Sequence, residues 1–450
     1  MENAAAKTNC AVPFGTQVMA KPTGSRCNLG CAYCFYLEKE RLYRPSGPYR
    51  MLDAVLEKFV REYIEIQDAP EVDFAWQGGE PTLAGLEFFR KVIQLQNQYS
   101  NGKSIHNSLQ TNGILLDDAW GAFLAENRFL VGISIDGPRR LHDVYRVDRQ
   151  GRPTFNRVMQ GLEALKRHKV EFNTLTVVHR KNSLRPLEVY RFLKQIGSQF
   201  IQFIPLVERL PDARARQLGL DHAAPPTPGQ AGDSPPVTDW SVRPEDYGRF
   251  LARIFQHWVR NDVGRTFVYL FEFALAAWAG KPVSLCVFQP HCGNATALEH
   301  NGDLYACDHY VYPEYRLGNL LEEPLKALIQ SPRQRKFGAD KFDTLPQYCR
   351  DCEFLFACYG ECPKHRFVAT PEGEPGLNYL CEGYKHYFKT IARHMQAMTE
   401  LIQSGRPAAA IMEILAKNKK QKGGNSPRPK DPCPCGSGRQ YRKCCRPQKR

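Results

Sequence analysis

Residues 27–36 read CNLGCAYCFY, which sets Cys27, Cys31 and Cys34 in the spacing C-x3-C-x2-C with Tyr33 and Tyr36 among them. The preceding run TQVMAKP (16–22) is short and mostly apolar, the pattern of a strand. On a helix the three cysteines would share one face and could form a buried apolar stripe. Gly30 and the preceding PTGSRCN (22–28) favour a loop instead. A structural zinc ion takes four protein ligands. An iron–sulfur cluster held by three cysteines leaves one iron open to a ligand that is not protein.

Beyond that loop, short β-rich runs alternate with helical ones. The candidate strands are VDFAWQ (72–77), IHNSLQT (105–111), LVGISID (130–136), FNTLTVV (172–178) and FIQFIPL (200–206). Between them lie amphipathic segments such as LDAVLEKFVREYI (52–64), LEFFRKVIQLQNQ (86–98) and FNRVMQGLEALKRH (155–168). This alternation predicts an α/β fold built from βαβ units. Six units fall short of the eight of a closed barrel, so a partial, open-sided (β/α)6 barrel is expected over 14–206.

The pattern breaks in 207–240, whose PDARARQLGLDHAAPPTPGQAGDSPPVTDW (211–240) reads as a surface insertion with little structure. Helical patterns resume in a connection over 241–285. A cysteine-dense domain spans 286–383, and one long C-terminal helix is expected over 384–416. KNKKQKGGNSPRPK (417–430) reads as a flexible basic linker, and 431–450 as a separate small module.

The charge follows this division. The 450 residues carry a formal +14, but twelve Lys or Arg and one acid, Asp431, lie from Lys417 onward. The body is therefore nearly neutral and the tail basic. No basic-then-apolar export signal and no membrane-length run are present, so a cytoplasmic enzyme is expected, as a monomer. In that compartment the 16 cysteines, clustered at short gaps, suit metals better than disulfides.

Eight of them are Cys286, Cys292, Cys307, Cys349, Cys352, Cys358, Cys362 and Cys381. Eight thiolates suffice for two fully ligated four-iron clusters, which move electrons rather than bind substrate; two zinc sites of four cysteines are the alternative from spacing. In the tail, Cys433, Cys435, Cys444 and Cys445 supply what an all-cysteine zinc site needs. Only Cys10 stays unassigned, as a free thiol.

The three-cysteine loop after a first strand, with Tyr33 before the third cysteine, resembles the signature of the radical S-adenosylmethionine superfamily. The resemblance implies a partial (β/α)6 barrel, with Cys27, Cys31 and Cys34 holding a [4Fe-4S] cluster whose open iron binds S-adenosylmethionine. WQGGEP (76–81) resembles the superfamily's GGE motif and implies cofactor contacts from Gly78, Gly79 and Glu80. Further contacts are implied for Ser134, Arg146 and Leu206, the last near the adenine. Simple turns at the glycines and solvation of Arg146 are the plain alternatives.

The run C-x2-C-x5-C-x3-C, followed by Cys381 after eighteen intervening residues, resembles the SPASM domain of peptide-modifying radical enzymes. The resemblance implies interleaved ligands: Cys286, Cys292, Cys307 and Cys362 for auxiliary cluster I, and Cys349, Cys352, Cys358 and Cys381 for auxiliary cluster II. With CNLGCAYCFY, WQGGEP, SIDGP (134–138) and ACDHY (306–310) all present, the chain resembles the anaerobic sulfatase-maturating enzymes over roughly 14–395. These oxidise a cysteine or serine of a sulfatase to Cα-formylglycine. Asp308, which alone would pass for a turn or capping carboxylate, is then expected to be the general base, and Tyr36 and Gln77 to contact the substrate peptide.

CPCGSGRQYRKCC (433–445) resembles the SEC-C motif, which implies zinc and docking to the ribosome or the export chaperone SecB. A nascent or unfolded sulfatase is the expected substrate, and a flavodoxin or ferredoxin the electron donor. Two other readings are another SPASM maturase acting on a ribosomally made peptide, and a zinc-stabilised binding protein without catalysis.

Overall fold

In the computed structural model, which describes residues 16–42, 49–227, 236–424 and Gln440, the six apolar runs form six strands. They are β1 (Gln17–Ala20), β2 (Glu71–Trp76), β3 (Ser104–Thr111), β4 (Leu130–Ser134), β5 (Phe172–Val178) and β6 (Phe200–Pro205). Each pairs in parallel with the next in chain order. Such an arrangement requires a crossover between strands, and helices supply it. Helix Asp53–Glu65, for example, buries Val55, Leu56, Phe59, Val60, Tyr63 and Ile64, the apolar positions of its i, i+3, i+4 pattern. Phe59 packs edge-on against Phe74 and Trp76 of β2, with ring centroids 5.6 and 6.1 Å apart. Burying each such ring stabilises the fold by about 1.5–3 kcal/mol.

The sheet does not end with the barrel strands. β7 (Phe267–Val268) pairs in parallel with β6. On the opposite edge β8 (Ala295–Leu298) runs parallel to β1, followed by antiparallel β9 (Asp303–Tyr305) and β10 (Arg316–Asn319). One ten-stranded sheet results, in the order β10-β9-β8-β1-β2-β3-β4-β5-β6-β7. The cysteine-rich region thus covers the exposed edge of β1, whose backbone groups would otherwise lack partners. Its register pairs Ala20 with Leu298, so the next residues, Lys21 and Glu299, leave the sheet side by side.

Three expectations are corrected. The insertion, where described, is ordered against the body of the protein. A short helix, Ala213–Gln217, is capped by Asp212, and Ala215, Leu220 and Ala224 pack on Tyr312. Glu38 Oε2 accepts from the backbone N–H of Asp221 and His222 at 2.6 and 3.0 Å. Its alanines and leucines find apolar partners in the cysteine-rich region, which no local pattern reveals. Residues 228–235 of the insertion lie outside the described residues.

The single helix expected over 384–416 is two helices, Cys381–Gln403 and Ile411–Gly424. Gly405, with φ +75°, ends the first, and Pro407 follows it. The second helix also runs through the first eight residues of the segment expected to be a flexible linker, 417–424. The connection holds helices Pro244–Asn261 and Tyr269–Trp278 on either side of β7. Pro244–Asn261 lies against Cys381–Gln403 so closely that a Cβ on Gly248 would sit 2.5 Å from the carbonyl oxygen of Gly383. Among the described residues no helix is long and apolar enough to cross a membrane.

Candidate active site

The C-terminal ends of the parallel strands converge, as side chains do on that face of a barrel. The cysteine loop leaves β1 through two tight turns, Gly24 N–H to Lys21 O at 3.1 Å and Arg26 N–H to Thr23 O at 3.1 Å. It is laced to the loop after β2 by Gly79 N–H to Gly24 O at 2.9 Å and Glu80 N–H to Arg26 O at 2.9 Å. This close approach explains the two glycines. Gly78 has φ +117°, and a Cβ on Gly79 would lie 2.1 Å from the Arg26 carbonyl oxygen.

Cys31 is buried, with Cys27 and Cys34 half-buried. Burial pushes the Cys31 thiol up to about 12 and raises Cys27 and Cys34 as well. Cys27 Sγ accepts from Leu29 N–H at 3.3 Å and from Asn112 Nδ2, at the end of β3, at 3.6 Å. Neutral thiols are favoured in such surroundings unless a metal's positive charge stabilises the thiolates. Three soft donors with hydrogen bonds aimed at sulfur fit an iron–sulfur cluster. Among the described residues no three His, Cys, Asp or Glu side chains are grouped to hold a single metal ion.

The neighbouring strand ends bring the other candidates. Leu206 packs with Leu29, Cys31 and Tyr33. Ser134 accepts from Gln110 Nε2 at 3.0 Å. Arg146 is buried, its Nε 3.0 Å from Asp136 Oδ2 and its guanidinium 5.7 Å from the Tyr33 ring. Burial would raise the Asp136 carboxyl, but Arg146, His179 and His142 hold it below its ordinary value.

Glu80 departs from the expectation of a direct cofactor contact. Its carboxylate is fully buried and accepts from Thr82 N–H (3.1 Å), Thr82 Oγ1 (2.6 Å), Thr111 Oγ1 (2.7 Å) and Asn112 N–H (2.7 Å). These bonds tether the ends of β2 and β3 and leave the carboxylate occupied by the protein itself.

Asp308, in the turn after β9, reaches the barrel. Tyr36 donates to its Oδ2, Gln77 Nε2 donates to the Tyr36 hydroxyl at 2.9 Å, and Lys21 Nζ lies 2.7 Å from its Oδ1. Burial alone would raise the Asp308 carboxyl, but Lys21 and His309 outweigh it and hold the group below its ordinary range. The structure therefore joins Tyr36, Gln77 and Asp308, named from three separate stretches of sequence. Sequence reading missed Lys21, Glu299, Asp136 and Asn112. A lysine directly after an apolar strand, as in VMAKP (18–22), is the one local signal that could have flagged Lys21.

The eight downstream cysteines fall into two groups. Cys307 and Cys362 each lie within electrostatic reach of Cys286 and Cys292. Cys349, Cys352, Cys358 and Cys381 line one cavity with Tyr348 and Phe354. Burial pushes Cys286 and Cys349 up to about 11, and Cys358 and Cys381 up to about 12. Cys10 and the tail cysteines Cys433, Cys435, Cys444 and Cys445 lie outside the described residues.

Comparison with known proteins agrees with this geometry. The Radical SAM superfamily model matches residues 22–193, the SPASM iron–sulfur cluster-binding domain model 286–353, and the SEC-C motif model 430–447. The chain is 46% identical over 411 residues to a serine-type anaerobic sulfatase-maturating enzyme of Bacteroides thetaiotaomicron, covering 91% of this chain and 98% of that one. It is 34% identical over 378 residues to a cysteine-type enzyme of Clostridium perfringens, covering 83% and 95%. A solved structure of native anSMEcpe with bound AdoMet and Cp18Cys peptide superposes with a TM-score of 0.73 at 33% identity, covering 86% of this chain and 99% of that one. With its cysteine loop, its joined auxiliary domain and these relatives, the chain belongs to the anaerobic sulfatase-maturating enzymes of the radical S-adenosylmethionine superfamily.

Proposed function

We propose that this chain oxidises a cysteine or serine side chain of a sulfatase polypeptide to Cα-formylglycine without molecular oxygen. Cys27, Cys31 and Cys34 would hold the [4Fe-4S] cluster that takes S-adenosylmethionine, with Gly78, Gly79, Ser134, Arg146 and Leu206 around the cofactor. Glu80 serves by tethering the loop. Cys286, Cys292, Cys307 and Cys362 would hold one auxiliary cluster, and Cys349, Cys352, Cys358 and Cys381 the other. Bound there, these groups supply a hydrogen-abstracting adenosyl radical and an acceptor for one electron.

The observation that carries the reading is Asp308. Converting a –CH2–XH side chain to a C=X group removes one hydrogen atom from Cβ, one proton from X and one electron. Asp308 is a partly buried carboxylate hydrogen-bonded to Tyr36, which in turn is bonded to Gln77. It takes the proton from the target thiol or hydroxyl, while Tyr36 and Gln77 align the peptide. A serine yields the aldehyde directly; a cysteine yields a thioaldehyde that water hydrolyses, releasing hydrogen sulfide.

The tail's four cysteines, in the stretch matching the SEC-C model, support a zinc-holding module. Its positive charge suits docking to a ribosome or to an acidic chaperone such as SecB, which would keep a monomeric, cytoplasmic enzyme near nascent sulfatases. A flavodoxin or ferredoxin supplies the reducing electron. The proposed units are 14–206, 207–240, 241–285, 286–383, 384–416, 417–430 and 431–450, with a helix break at Gly405 and the second helix running on through 417–424.

The test is anaerobic incubation of reconstituted enzyme with S-adenosylmethionine and sulfatase-derived peptides carrying Cys or Ser, read by mass. Asp308→Asn, with iron content kept, should lower formylglycine formation by about two orders of magnitude. Formation at the wild-type rate would sink the assignment of the base.

A further inference from the structure

We infer that Lys21 is the positioning residue for Asp308, and that Glu299 is the counter-ion that fixes Lys21 in place. The inference rests on Asp308 being the proton acceptor and adds to that reading the device that aims its carboxylate.

The geometry begins in the sheet. Lys21 follows the last residue of β1, and its backbone N–H continues the ladder to Leu298 O at 2.9 Å. The β1–β8 register then sets Glu299 beside it. Lys21 is 1% exposed, and its Nζ lies 2.8 Å from Glu299 Oε1 and 2.7 Å from Asp308 Oδ1. Its stem passes the GGE loop, where a Cβ on Gly78 would lie 3.0 Å from Lys21 Cβ and 3.1 Å from Cγ. The missing side chain at Gly78 therefore gives the lysine its path.

The consequence falls on Asp308. It stands on a short 3-10 turn, Asp308–Tyr310, which has no side-chain cap of its own. Lys21 grips Oδ1, which leaves Oδ2 as the oxygen directed at Tyr36. Without the ammonium, the carboxylate keeps, among the described residues, one side-chain hydrogen bond, from Tyr36, a residue expected to face the peptide. A carboxylate held through one mobile contact samples other rotamers, and a displacement of an ångström is enough to slow a positioned reaction greatly.

A plain cross-link between the barrel and the cysteine-rich region does not account for this arrangement. The β1–β8 backbone ladder already joins the two, from Gln17↔Ala295 to Ala20↔Leu298. Glu299 alone would neutralise a buried lysine. A second carboxylate, the partly buried Asp308, on the same ammonium is more than charge compensation of Lys21 requires.

The experiment compares Lys21→Met, Glu299→Gln and Asp308→Asn with wild type as full-length, iron-reconstituted enzymes. Formylglycine, 5′-deoxyadenosine and peptide KM are measured separately. For Lys21→Met, formylglycine made per 5′-deoxyadenosine should fall by about tenfold or more while peptide KM changes less than about threefold. Glu299→Gln should move the same ratio in the same direction by a smaller factor. A purely structural role would instead lower both products together with iron content. A wild-type ratio in Lys21→Met overturns the inference. If Lys21→Met fails to bind iron, the milder Glu299→Gln decides, and a wild-type ratio there overturns it equally. A wild-type ratio in Asp308→Asn would defeat the base assignment itself. Loss in Asp308→Asn with no effect in the other two defeats the role of Lys21 alone.

Discussion

The hydroxyl of Tyr33 donates to Asp136 Oδ2 at 2.5 Å, tying the cysteine loop to the exit of β4. The same oxygen lies 3.0 Å from Arg146 Nε, and Asp136 Oδ1 accepts from Val177 N–H at 3.0 Å. One buried carboxylate thus fixes an aromatic of the loop, a cation beside it and the end of a third strand.

Asp136→Asn keeps the shape but leaves Arg146 buried without its carboxylate. Removing one partner of such a pair costs about 3–5 kcal/mol. The variant should unfold at a lower temperature and bind S-adenosylmethionine about tenfold more weakly. Anaerobic thermal unfolding and equilibrium dialysis check both.

Gly79→Ala tests the lacing of the two loops. The added Cβ would meet the Arg26 carbonyl oxygen at 2.1 Å and that of Ser25 at 2.4 Å, both backbone atoms that cannot swing aside. The cysteine loop must shift, so the variant should lose about four irons per chain, one cluster's worth. Iron analysis and the cluster's visible absorbance report the outcome.

Replacing Cys349 and Cys381 with alanine removes two of the four cysteines that line one cavity. About four irons per chain should again be lost, this time with S-adenosylmethionine cleavage retained, because the cysteine loop is untouched. Loss of all iron would mean that the sites do not assemble independently.

Glu272 supplies a pH test of stability. Burial pushes its carboxyl up to about 7 from an ordinary 4.5. Below 4.5 it is protonated whether folded or unfolded. Between 4.5 and about 7 the folded protein holds a proton that the unfolded chain releases, so stability falls as pH rises through this window. Glu272→Gln removes the dependence, and at pH 8 it should be more stable than wild type by about 1–3 kcal/mol. Unfolding temperatures of the two proteins should converge near pH 4.5.

Features carried by short spans of residues were legible before the chain folds. Six apolar runs became six parallel strands, and C-x3-C-x2-C marked the loop after the first, because strand propensity and ligand spacing act over a few residues. Tyr36, Gln77 and Asp308 could be named from their motifs. SGRP (404–407) even carried the stop signal for the helix ending at Gln403, although the amphipathic pattern on both sides masked it.

Tertiary structure decided the rest. The pairing of β1 with β8 delivers Glu299 and then Asp308 to Lys21, and no local pattern encodes which edge a distant strand will choose. The same holds for Asp136, which owes its role to three partners from other elements, and for the insertion, ordered only because Tyr312 and Glu38 are there to receive it. Spacing along the chain selects the chemistry; register across the sheet sets where its charges meet.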